Sequence, residues 1–301
     1  MTGIASRVMA GRLPAVLIVV ATMFVSLLLP PVLLLSGAAL ALVTLRRGPY
    51  EGALILGAAS VAAFVLGWLL FGHPGPLAGV LPGFWLPVWG LAAVLRATVS
   101  LAAAFAVAAG LGWLVVTGFY ALLDDPAGWW QGWLAELLKP AFEQAGAGSD
   151  AVQGLDRLIA WGAPLMPGML AANVVFSALV ALLIGRWWQA RLYNPGGFRS
   201  EFHGLRLGHG LALLTIVTGV AAFASGALWL QCLALPLAVV WLLQGLAVLH
   251  GLALLRGWSP WALVLVYVLL LLLLPQAVAL LCLLGLIDTW MNLRARAAPP
   301  G

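Results

Sequence analysis

Charge is what this chain has least of. Aspartate, glutamate, lysine and arginine make up 8% of 301 residues while hydrophobic residues reach 64%, whereas a soluble domain carries about 25% charged residues. So little charge excludes an ordinary soluble fold and leaves a chain that lies within a membrane over most of its length. Cysteine is scarce too. Cys232 and Cys282 both sit inside apolar runs, which excludes a disulfide framework or a cysteine metal centre and leaves core packing as their role. No glycine-rich stretch is followed by Lys-Ser/Thr, and no apolar segment carries paired acids, a Ser/His pair or a metal-ligand cluster. Phosphate-loop chemistry is therefore not expected, and neither are catalytic residues, a metal or a cofactor; the expectation is no enzyme. The net charge of +5 has no soluble basic surface to carry it, so nucleic acid is not an expected partner.

What is present is a succession of apolar segments, at roughly 13–29, 31–45, 50–71, 76–95, 97–122, 162–185, 207–230, 231–255 and 260–290. They are long, unalternating and rich in Leu, Ala and Val. That pattern predicts an all-α polytopic transmembrane helix bundle rather than a barrel, because each helix satisfies its own backbone groups. Residues 13–45 exceed one crossing of a ~30 Å core at about 1.5 Å per residue, and Pro30-Pro31 divides them into two short helices. Pro275-Gln276 divides 260–290 in the same way. The expected count is thus about ten spans in a single membrane domain over 1–301, with nine as the alternative. Arg7 and Arg12 ahead of the first apolar run resemble a secretory signal, but no polar mature domain follows, and the run reads as an uncleaved first helix.

Ten spans put Arg7, Arg12, Arg46, Arg47, Arg96, Arg186, Arg191, Arg199, Arg206, Arg256, Arg294 and Arg296 at alternate segment ends. Those ends are expected to face the cytoplasm, together with both termini. Six of the nine acids, Asp124, Asp125, Glu136, Glu143, Asp150 and Asp156, fall in one loop at 123–161, which is then external. In that loop Asp125 and Pro126 form a helix start, and pairs from Trp129/Trp130 to Ala141/Phe142 recur every four residues. An interfacial amphipathic helix kinked at Pro140 is expected there, as a brace over the bundle or as a gate. Two small-residue faces, Ala102/Ala106/Gly110 and Gly204/Gly208/Ala212, suggest close helix contacts. Asn173, Gln244, His250 and Gln276 read as scattered interhelical hydrogen-bonding groups.

The cytoplasmic loop at 186–206 ends in the most polar stretch of the second half, NPGGFRSEFHGLRLGHG from Asn194 to Gly210. Pro195, Gly196 and Gly197 form a turn that stops the preceding helix. A helix continued from there places Arg199, His203 and Arg206 within about 60° of one another by the 3.6-residue period. Glu201 points about 160° away from His203 on that wheel. The cationic stripe admits three readings: topology alone, an anionic lipid, ligand or protein partner, and proton-coupled chemistry through His203 and Glu201. Asp288 is the only acid after Glu201 and stands one turn before Asn292. An ionised group there needs a partner, and Arg199 or Arg206 is the one expected.

NPGGFRSEFHGLRLG and, near the end, LGLIDTWMNLRAR together resemble the DUF2232 (YybS-like) family of bacterial integral membrane proteins, in its proteobacterial branch; elsewhere the likeness is one of hydropathy. The resemblance implies a fold grouped with the substrate-binding components of energy-coupling-factor vitamin transporters, and a transporter-like role. The chain departs from a plain six-helix component in its span count and its acidic loop. Two functional readings follow. In the first, a non-enzymatic membrane protein binds a small-molecule or lipid-like ligand between helices, beneath the external amphipathic segment, with membrane lipids around it. In the second, a scaffold or assembly factor docks a membrane or cytoplasmic protein on its basic face. Arg199, Glu201, His203, Arg206, Asp288 and Asn292 are the candidate binding residues in either case.

Overall fold

The computed structural model describes residues 2–73, 75–146 and 148–297. Among them every regular element is helical: α1 (Thr2–Met9), α2 (Arg12–Val25), α3 (Leu33–Arg47), α4 (Pro49–Phe71), α5 (Gly75–Ala78), α6 (Leu86–Thr98), α7 (Leu101–Leu122) and α8 (Pro126–Gln144). There follow α9 (Ser149–Gly162), α10 (Met166–Tyr193), α11 (Gly197–His203), α12 (His209–Ser225), α13 (Leu228–Leu255), α14 (Pro260–Leu272), α15 (Leu274–Met291) and α16 (Leu293–Ala297). The protein is an all-α polytopic bundle. Among the described residues six helical stretches are long and apolar enough to cross a membrane, and α2, α12 and α14 are shorter apolar helices. The 14 residues of α2 rise only about 21 Å, less than the ~30 Å of bilayer hydrocarbon. Both expected breaks are present. A tight turn at Pro30–Val32 separates α2 from α3, and Leu273 separates α14 from α15 just ahead of Pro275.

The centre of the bundle is built from α3, α10 and α13. On α3 every residue from Ser36 to Leu45 is buried, so this helix touches protein on all sides. Such a helix cannot be amphipathic, which is why its sequence shows apolar and small residues without a polar face. Ser36 is tolerated there because its hydroxyl donates to the Val19 carbonyl (2.8 Å) and accepts from the Trp85 indole (2.9 Å). Gln244 of α13 is buried and satisfied on both sides. Its Oε1 accepts from the Leu207 backbone N–H (2.7 Å), and its Nε2 donates to the Gly285 carbonyl (2.6 Å). Helices α13 and α15 approach closely at Gly245 and Gly285, where a Cβ on Gly245 would lie 1.9 Å from the Leu281 carbonyl oxygen. No side chain fits in that space.

Two small-residue expectations are corrected. On α7 the packed face is Ala104, Ala108 and Gly112, whereas Ala106 and Gly110 are exposed. Gly204 and Gly208 share no helix face with Ala212, because Gly204 ends α11 and Gly208, at φ +86°, precedes α12. Cys232 is buried and Cys282 partly so, and both are free thiols in helix contacts. Of the scattered polar residues, His250 of α13 meets Tyr267 of α14 (2.8 Å), while Asn173 and Gln276 are exposed.

The molecule has two unlike ends. At one of them Arg12 at the start of α2 pairs with Glu51 at the start of α4, Arg47 at the end of α3 donates to the Met9 carbonyl, and Arg96 at the end of α6 reaches the Leu45 carbonyl. The end of α10 joins them there through Arg46, whose guanidinium lies 4.1 Å above the Tyr193 ring. The opposite end carries α8 and α9. Asp125 caps α8 by accepting from the Gly128 N–H (3.0 Å), and Pro140 lies inside the helix. Trp130 is buried against Phe119, Trp129 and Trp133, while Leu137 and Phe142 are exposed. Helix α9 was not expected; it buries Leu155 and Ile159 and is tied to α8 by Lys139 and Asp156 (2.8 Å).

A basic cleft between α10, α11, α13 and α14

The polar stretch after α10 makes a short helix laid across the basic end. Asn194 caps α10, Gly196 takes a left-handed conformation at φ +90°, and a Cβ on Gly197 would fall 2.4 Å from the Asn194 side chain. The backbone angle favours glycine at Gly196, and Gly197 leaves room for the Asn194 side chain as it stands. Helix α11 then runs only to His203. Phe198 and Phe202 stack on each other at 5.8 Å, and Arg199 and His203 share one face of the helix.

Opposite that face stands a cleft of about 410 Å³, walled by Trp187 and Arg191 of α10, by Phe198, Arg199, Phe202 and His203, by His250 of α13 and by Tyr267 of α14. A further cleft of about 270 Å³ shares Arg199, His203 and His250 and extends towards Trp258 and Leu263. Among the described residues no residue of α14 is buried, and Tyr267 ties this wall to His250 of α13 (2.8 Å). Arg199 makes no side-chain hydrogen bond among the described residues and is exposed, and Arg191 lies 5.6 Å over the Trp187 ring. His203 has a buried Nδ1 without a partner among the described residues, and its ring lies 6.0 Å from that of His250. Burial holds the His203 imidazole below its usual range, with His250, Arg199 and Arg294 adding to the effect. Ser200 on α11 is tied to the Gly197 carbonyl (3.0 Å), and the Tyr267 hydroxyl to His250 (2.8 Å). Arginines over aromatic walls suit an anion with an apolar body, since the guanidinium fork takes the charge and the rings take the rest.

The expected cationic stripe is broken. Helix α11 stops at Gly204, Leu205 and Leu207 turn inward, and Arg206 leaves the Arg199/His203 face to donate to Asn292 Oδ1. Nor is Arg199 or Arg206 the partner of Asp288. That partner is Arg294, at 2.7 Å, with both side chains buried. Six residues of straight helix would carry Arg294 to another face, but Asn292 adopts a left-handed conformation at φ +48° and turns α16 back. Arg294 also donates to the carbonyls of His203 and of Leu205 (2.8 Å). The second motif therefore clamps the end of the first through Arg294, which the sequence marks only as an arginine at a segment end. An asparagine at a helix end followed by arginine was the available signal. Glu201 points away from the cleft, as expected, and pairs with Arg186 (2.8 Å).

Fold and composition together define a polytopic helical membrane protein. A family model described as a predicted membrane protein, DUF2232, matches residues 136–289, just over half of the chain. The protein belongs to that family. The match includes all four helices that wall the cleft and ends before Arg294. No curated protein and no solved structure matches the chain.

Proposed function

We propose that this protein is a non-enzymatic, transporter-like component of a bacterial inner membrane, and that it binds a small or lipid-like anion in the cleft between α10, α11, α13 and α14. The observation that carries the reading is the pairing of Arg191 and Arg199 with aromatic walls in a cleft bounded by α14. A headgroup would meet the guanidiniums while an apolar portion runs along Tyr267 and Leu263. The arginine-rich end faces the cytoplasm in this reading, with both termini, because basic residues are retained on that side. The acidic α8–α9 end then lies outside. The polar cleft opens at the end away from α8, so α8 braces the outer end and does not cover the ligand.

A second reading has one specific observation in its favour. The interior is filled, with Trp85, Trp188, Trp241 and Phe105 fully buried, as a scaffold that docks an acidic protein on its basic face would be. Native mass spectrometry of the gently extracted protein separates the two. Ligand binding is expected to leave a stoichiometric anionic adduct that disappears in Arg191→Gln/Arg199→Gln. A bound protein subunit and no small adduct would replace the first reading with the second.

A further inference from the structure

Helix α11 has a second face, and Glu201 lies on it. There the ends of α3, α6 and α10 surround a separate cleft of about 610 Å³, lined among others by Arg46, Arg96, Val99, Arg186, Gln189 and Glu201. We infer that Arg46, Arg96 and Arg186 form a second binding site, for a phosphate-bearing anion, in which Glu201 holds the place of the ligand.

Charge is the first ground. Three guanidiniums face one carboxylate, which leaves two positive charges without an acidic partner among the described residues. The C-termini of α3 and α6 offset part of that surplus through their dipoles, and the remainder matches a phosphate group. Hydrogen bonding is the second ground. A guanidinium offers five N–H donors, yet Arg96 uses one side-chain donor on the Leu45 carbonyl and Arg186 forms an ion pair with Glu201. Arg46 makes no side-chain hydrogen bond among the described residues and stacks on Tyr193. Most of the donors that suit the planar, bidentate recognition of phosphate oxygens are therefore free.

The rim supplies the third ground. Val99 takes the left-handed conformation at φ +52° while 85% exposed, so a β-branched residue holds an unfavourable backbone angle without burying its side chain in return. Strain of this kind collects where a loop borders a ligand. A phosphate entering the cleft would take Arg186 from Glu201. Because α11 turns its other face to the first cleft, filling this site releases one of the ties that hold that helix.

The test uses the full chain in two arms. In the first, the protein in phosphatidylcholine nanodiscs is titrated with inorganic phosphate; in the second, it is reconstituted with phosphatidic acid and retained lipid is read by native mass spectrometry. Saturation in the first arm identifies a soluble phosphate, retention in the second alone identifies a lipid headgroup, and either supports the site. Arg46→Gln and Arg96→Gln are each expected to weaken binding on the order of tenfold. Arg96→Lys, which keeps the charge and loses the fork, should weaken it as well, and Arg7→Gln, outside the cleft, should not. Glu201→Gln should tighten binding by roughly threefold or more, because the competing carboxylate is gone. Binding in neither arm overturns the inference. So does a Glu201→Gln protein that binds no tighter, or an Arg7→Gln loss equal to that of Arg96→Gln.

Discussion

Removing Arg294 should damage this protein more than removing the acid it neutralises. Asp288 is 1% exposed and its Oδ1 lacks a hydrogen-bond partner among the described residues, so Oδ2 and Arg294 together carry the compensation for its charge. Arg294→Gln leaves a buried carboxylate with no cation and removes the donor from the His203 and Leu205 carbonyls. Breaking one side of a buried pair costs about 3 to 5 kcal/mol. Asp288→Asn is the milder change, since Arg294 keeps both carbonyl acceptors, and a loss of about 1 to 3 kcal/mol is expected. The double variant should recover part of the sum, because the stranded charge is gone. Reversible unfolding of the four proteins in mixed micelles measures this directly. Additivity within about 0.5 kcal/mol would refute the buried pair. The matching cycle with Arg206→Gln is expected to be additive, since Arg206 bonds Asn292 instead.

Two further outcomes follow from the same packing. The His203 imidazole is held below its usual range, so the folded state prefers it neutral: its contribution to stability is complete above about pH 6.5 and is lost as pH falls through the folded value. Unfolding midpoints should drop on acidification over that window, His203→Gln should flatten the drop, and an unchanged profile in the variant would remove His203 as the cause. Gly245→Ala should cost about 1 to 3 kcal/mol or more, because its Cβ meets the Leu281 carbonyl, whereas Gly110→Ala on the exposed face of α7 should be neutral or slightly stabilising. Equal effects at the two glycines would contradict the packing described for α13 and α15.

Much of the architecture was legible because a bilayer restricts the choices. Long apolar runs must be helices, Pro30-Pro31 and Pro275 must interrupt them, and the arginines that fall at alternate ends in sequence converge on one end of the bundle. The start of α8 was legible for a local reason, the Asp125 cap with Pro126 behind it. The site was half legible. Arg199 and His203 lie one turn apart on a real helix, so the period placed them together. Arg206 does not follow that period, because α11 ends at Gly204 and burial of Leu205 and Leu207 turns the chain inward. The pairing of Arg294 with Asp288 is not legible, because the left-handed turn at Asn292 reverses direction, which no helical period encodes. His250 and Tyr267 come from different helices and looked scattered until the fold brought them together. The small-residue stripe on α7 failed for another reason. In lipid, small residues occur on exposed faces as well, and only the partner, here Pro236 beside Gly112, decides which face packs.

The central claim, that the α10–α11–α13–α14 cleft holds an anion with an apolar body, is tested most directly by an experimental structure of the protein extracted with its own lipids. Elongated density with its head between Arg191 and Arg199 and its body along Phe202, Tyr267 and Leu263 is the expected result. A cleft without ligand density whose arginines are covered by the acidic surface of a protein partner would contradict it.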